Sequence, residues 1–348
     1  MTGTRKGWKK KFMSTKNLNS MLTRTIALAA LVMTAATNGL AQKVARSPAF
    51  LYQADPTIFA DQGRYYLYGT DHVAKGIQVY ESGDLHEWRG PVGRDSGFAL
   101  LKGHSFGTGR FWAPQILRYR GRYVMAYAAD EHIAVARGDD PRGPFTQKTP
   151  HALMAYRAID PFIFVDDDGR VYLYYVKLQA GNRIYVTELS KDLSHPVAGT
   201  DVSCVNAVDD PQPWENTGKK TWTVTEGPTV LKHGGWYYLF YSANGFKSPD
   251  YAVGYAVSRT PTGPWKKYRG NPILSRSLVG VPGTGHGDFF RDGADSLCYV
   301  FHTHYAQGVV GPRKTALIRG AFVKDKGPDR MVLYPASFYY LRPAPRRP

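Results

Sequence analysis

Two cysteines in 348 residues are too few for a disulfide framework. Neither Cys204 nor Cys298 has neighbours at metal-ligand spacing. Two separate buried thiols are therefore expected, with one disulfide between them as the alternative. Acidic residues are also scarce, 28 against 45 Lys and Arg. Such an excess invites a nucleic-acid partner, but seven of the bases lie in residues 1–41, which contain no acid. The other 38 are scattered in runs no longer than two, such as Lys219-Lys220, and no RNA- or DNA-binding motif accompanies them. No nucleic-acid partner is expected. Long hydrophobic runs are missing too. The apolar stretch Ile26–Met33 is far short of the ~20 residues that span a bilayer. With basic residues before it, and Gly39 and Ala41 placed for a cut before Gln42, it reads as an export signal over residues 1–41. Met13 and Met21 are alternative starts. Residues 42–348 hold no segment apolar enough to cross a membrane, so an exported protein without a membrane span, periplasmic or extracellular, is expected.

What the chain has in abundance is Tyr, Phe, Gly and Pro, the mix of short strands joined by tight turns. One unit recurs five times. It begins Asp55-Pro56-Thr57-Ile58-Phe59, turns at Gln62-Gly63 and continues Tyr65-Tyr66-Leu67-Tyr68. The later copies start at Ala113-Pro114, Asp160-Pro161, Gly227-Pro228 and, in degenerate form, Gly287-Asp288. Their turns fall at Gly121, Asp168-Gly169, Gly234-Gly235 and Asp292-Gly293, and each copy is followed by a third β-rich segment. Proline lacks a ladder donor, so each Pro is expected at the first residue of its strand. A repeat of 47–67 residues with three strands and a weak fourth predicts an all-β, five-bladed β-propeller over residues 42–348. A β-sandwich would not generate such a repeat.

In a propeller the first strand of each blade lines the central channel. The starts of the repeats should therefore converge at one mouth, and Asp55, Asp160 and Glu226 are read as occupying equivalent places there. A lone Asp-Pro is ordinarily a turn. Three acids in register form a cluster with mutually raised pKa values, which suits glycoside hydrolysis: one carboxylate as base, one carboxylic acid as proton donor. Trp112 and His286 fall beside them, and Arg313, His302 and His304 lie close enough in the last repeat to offer donors to sugar hydroxyls. Asp166-Asp167-Asp168-Gly169 resembles a metal loop but sits at a hairpin turn, so solvated turn acids are expected. Asp209-Asp210-Pro211 is followed by no strand pattern and is read as a loop.

Ala54-Asp55-Pro56, Trp112-Ala113-Pro114, Ile159-Asp160-Pro161, Thr225-Glu226-Gly227-Pro228 and His286-Gly287-Asp288 together resemble the signature blocks of glycoside hydrolase family 43, over about residues 50–325. The resemblance implies an inverting hydrolase of arabinose-, xylose- or galactose-containing plant polysaccharides and oligosaccharides. It makes Asp55 the general base, Glu226 the general acid and Asp160 the residue that tunes the acid and orients substrate. Trp112, His286 and Arg313 become substrate contacts. No cofactor is required; a structural calcium in the channel, reached through water at His286, is a feature of many members. The retaining invertase-like family 32 shares the fold, but its Asn-Asp-Pro, Arg-Asp-Pro and Glu-Cys blocks are absent. A non-catalytic sugar-binding propeller would be expected to lose one of the acids. The 307 residues beyond position 41 leave no room for an added β-sandwich, which favours an exo-acting α-L-arabinofuranosidase. β-Xylosidase, endo-arabinanase and galactofuranosidase are the alternatives within the family.

Overall fold

The computed structural model describes residues 1–3 and 47–345. The chain divides into two units, Met1–Ala45 and Arg46–Pro348. Beyond residues 1–3, the expected export segment lies outside the described residues.

Five antiparallel sheets follow one another along the second unit. Blade one comprises Ala54–Asp61, Arg64–Thr70, Gly76–Ser82 and Phe98–Leu101; blade two has three strands, Trp112–Tyr119, Arg122–Ala129 and His132–Gly138. Blade three runs from Ala158–Val165 to the short outer strand Val202–Val205, and blade four from Thr225–His233 to Lys266–Lys267. Blade five begins with Gly285–Arg291 and ends with the longest strand, Arg330–Tyr340. The first hairpins are tight because the loop pairs Gln62-Gly63, Arg120-Gly121 and Gly234-Gly235 all take positive φ, the twist-compatible turn for antiparallel strands.

The ring is closed by packing. Five separate apolar clusters each lie between neighbouring blades. Tyr68 and Tyr127 share one with Phe145, and Leu173 and Tyr175 share the next with Ala126. Val176 packs with Leu239, Phe240 with Tyr299, and the fifth cluster joins Leu67 of blade one to Val300 of blade five. The last seam is also laced by hydrogen bonds. Leu51 N–H donates to Leu341 O (3.0 Å), and Thr315 Oγ1 exchanges bonds with the Gln53 backbone at 2.8 and 2.9 Å. Arg342–Pro343 then pairs in parallel with Glu87–Trp88. The Asp140–Phe145 and Thr260–Trp265 turns have a packing role: Pro141 O and Pro261 O accept hydrogen bonds from the buried hydroxyls of Tyr68 and Tyr174, one blade earlier.

Two expectations change. Each Pro sits inside its first strand, at the third or fourth residue, within a β-bulge. The bulge leaves the Pro and the residue before it outside the paired register, so the missing N–H costs nothing there. Asp166 is buried and accepts hydrogen bonds from Lys232 Nζ (2.6 Å) and Tyr237 OH (2.5 Å), fastening blade three to blade four. It is therefore a structural ion pair, while Asp167 and Asp168 remain exposed turn acids. Cys204 and Cys298 are free, the first half-buried and the second buried.

Candidate active site

The bulge repeated in each blade positions the site. Its left-handed residue is Asp55, Ala113, Asp160, Gly227 and His286 in blades one to five, with φ of 48°, 45°, 55°, 58° and 43°. Left-handed backbone is tolerated best by Gly and next by Asn, Asp and His, the types found at four of the five positions. Ala113 is the strained member. Asp55 and Asp160 are thus equivalent, but Glu226 is not their counterpart. It lies one residue earlier, in register with Ala54, Trp112 and Ile159, while Gly227 takes the place of the acid. A side chain at Gly227 would meet the His286 ring at 2.7 Å, so that place is reserved for glycine.

Asp55, Asp160, Glu226, Trp112, His286 and Arg313 all line one cleft of about 720 Å³. Arg313 grips Asp55 with both nitrogens, Nη1 to Oδ1 at 2.8 Å and Nη2 to Oδ2 at 3.3 Å. The Asp55 N–H donates to His302 Nδ1 at 3.1 Å. Burial alone would raise the Asp55 pKa, but the charges of Arg313 and His286 outweigh it and hold the carboxyl well below its ordinary range. His302, wholly buried and beside Arg313, is pushed down to about 3 and stays neutral. His286 Nδ1 lies 3.4 Å from Asp55 Oδ1 and 3.9 Å from Asp160 Oδ2. Burial opposes its charge, yet the surrounding carboxylates raise its pKa on balance.

Glu226 has the opposite environment. Tyr251 OH donates to Oε1 at 2.7 Å and Asn182 Nδ2 to Oε2 at 2.8 Å. Burial is the main cause of its raised pKa, with the Asp55 charge contributing; the expected repulsion from Asp160 is not the leading cause. Asp160 is itself pushed up to about 7, first by burial and then by its acidic neighbours, and its Oδ2 accepts from Gly227 N–H at 3.1 Å.

Sequence reasoning missed the wall of the cleft. Asn182, Trp222 and Phe246 line it, and Tyr251 holds Glu226 from behind. Phe246 packs under the Arg313 guanidinium, 4.7 Å from ring centre to Cζ, and its carbonyl meets His304 Nε2 at 2.7 Å. His304 thus anchors a loop, and His302 lies beneath Asp55. Trp222, isolated in the polar run Lys219–Thr223 just before Glu226, was the one visible signal.

Beneath the acids the channel narrows to a void of about 20 Å³, enough for one water. Both Asp288 oxygens there are occupied by Thr57 and Thr229 hydroxyls at 2.8 and 2.7 Å, and Gln115 is spent on the Ile163 backbone. Among the described residues no three His, Cys, Asp or Glu side chains group as metal ligands. No step of the mechanism runs through a metal.

A model of glycosyl hydrolases family 43 matches residues 49–327. The chain is 25% identical over 295 residues to an extracellular exo-α-(1→5)-L-arabinofuranosidase of Cellvibrio japonicus, covering 72% of this chain and 79% of that one. It is 30% identical over 166 residues to a xylosidase/arabinosidase of Humicola insolens, spanning 40% of this chain and half the length of that relative. A crystal structure described as an endo-1,4-β-xylanase of Bacteroides thetaiotaomicron superposes with a TM-score of 0.76 at 35% identity, over 84% of this chain and 97% of that one.

Proposed function

Since the chain belongs to glycosyl hydrolases family 43, whose members hydrolyse glycosidic bonds with inversion, we propose that it is an exo-acting α-L-arabinofuranosidase with Asp55 as base and Glu226 as acid. One observation carries the assignment: burial and charge push the two carboxyls in opposite directions, Asp55 toward the ionised form and Glu226 toward the protonated one. Asp55 takes a proton from a water whose oxygen attacks the anomeric carbon. The bond from that carbon to the departing oxygen breaks as Glu226 delivers its proton to that oxygen. Two acids drawn from blades one and four suit the ~6.5–9.5 Å gap that an inverting pair needs for its water. Asp160, bonded to the Gly227 N–H, fixes the backbone that carries Glu226. Trp112 offers an apolar face to the sugar.

The arabinofuranosidase reading draws on the similarity to the Cellvibrio enzyme and on a cleft lined by the Trp222 and Phe246 segments. Purified protein should release 4-nitrophenol fastest from the α-L-arabinofuranoside, compared with the β-xyloside and β-galactofuranoside. A clear preference for the xyloside would replace it with β-xylosidase. Export with cleavage before Gln42 belongs to the same reading, and N-terminal sequencing of protein from the periplasm or medium tests it.

A further inference from the structure

Asn182 opens the third strand of blade three, yet almost everything it holds belongs to the segment leading into blade four. Its N–H donates to Thr223 O (2.9 Å) and its carbonyl accepts from Thr225 Oγ1 (3.1 Å). Its side chain bridges the same segment from Trp222 to Glu226. The indole Nε1–H of Trp222 donates to Asn182 Oδ1 at 2.9 Å, and Asn182 Nδ2 donates to Glu226 Oε2 at 2.8 Å. An indole nitrogen can only donate, so it dictates which end of the amide faces it and leaves the NH₂ for Glu226. The amide is buried, whereas Trp222 is 50% exposed over the cleft.

We propose that Asn182 and Trp222 are positioning residues that couple sugar contact to the proton donor. The exposed face of Trp222 meets the substrate, and its N–H pins the amide that holds the plane of Glu226. This rests on Glu226 being the acid. An amide donor favours the ionised carboxylate, so Asn182 moderates the rise that burial imposes on the Glu226 pKa and stabilises the anion left when the proton departs. Tyr251 holds the other oxygen, so loss of Asn182 frees one side of the carboxyl only.

The test compares Asn182→Ala and Trp222→Phe with wild type on a dinitrophenyl glycoside and on an unactivated glycoside of the same sugar, across pH. Trp222→Phe keeps an aromatic face over the cleft and removes the indole N–H donor. Both variants should lose about 10- to 100-fold in kcat/KM on the unactivated substrate and little on the activated one, Asn182→Ala losing more. The basic limb of the pH profile should move to higher pH in both. Equal losses on both substrates with an unmoved limb would overturn the proposal, leaving the two residues as packing. Glu226→Gln in parallel separates the two readings. If it spares the activated substrate, the acid assignment stands whatever Asn182 does; if it does not, the donor is another group and this inference falls with it.

Discussion

The residues at the channel mouth are chosen for backbone as much as for chemistry. Asp55, Asp160 and His286 occupy left-handed conformations that cost most side chains about 1–3 kcal/mol. Asn tolerates the same φ, which makes Asp→Asn a clean probe of charge. Asp160 is the informative case, because its pKa in the fold is about 7 against an ordinary 3.8. Between those values the folded protein keeps a proton that the unfolded chain has lost. Its contribution to stability is therefore complete below the unfolded pKa and disappears as pH rises through the folded one. Asp160→Asn should consequently gain in melting temperature relative to wild type between pH 4 and pH 8, while losing activity. A temperature difference that stays constant across that range would contradict the raised pKa.

At the scale of elements, hairpins and blade count were legible because tight turns demand Gly and half-buried strands demand aromatic and β-branched residues. The register of the acids was misread, although the same prolines carry it: the three are not equivalent, since Asp55 and Asp160 precede their prolines by one residue and Glu226 by two. The one-residue offset sets Glu226 apart from the two Asp residues along the strand. The partners of Glu226 were not legible, because Asn182, first in its strand, and Tyr251, just before one, reach it through inter-blade packing. The connection before blade four is held by Lys267, whose buried ammonium donates to Asn206 O (2.8 Å), Asp210 O (2.9 Å) and Glu215 Oε2 (2.9 Å). Replacing it by Met leaves Glu215 buried without its cation. Lys267→Met should lose about 3–5 kcal/mol in urea unfolding. Its KM should rise as the Trp222 segment loosens. A loss under about 1 kcal/mol would show that the latch is not needed.

Residues 47–345 form a ring whose five cores lie between blades, and the chain closes the last seam with its own end. Leu341, wholly buried in the fifth core, and the Arg342–Pro343 pairing do this. Leu341→Ala should cost about 2–5 kcal/mol in the same assay, with blade five and the Arg313–Asp55 contact first to open. A loss no larger than that of an exposed leucine would place closure elsewhere. Closure matters to the proposed division of labour because the ring brings Asp55 of blade one and Glu226 of blade four into one cleft. That division of labour is tested most directly by paired kinetics of Glu226→Gln and Asp55→Asn on a dinitrophenyl glycoside and an unactivated one. A good leaving group needs no proton, whereas water must be activated for either substrate. Glu226→Gln should therefore lose far more activity on the unactivated substrate, and Asp55→Asn should lose a similar, large factor on both. The reverse pattern, or the same losses in the two variants, would contradict the account.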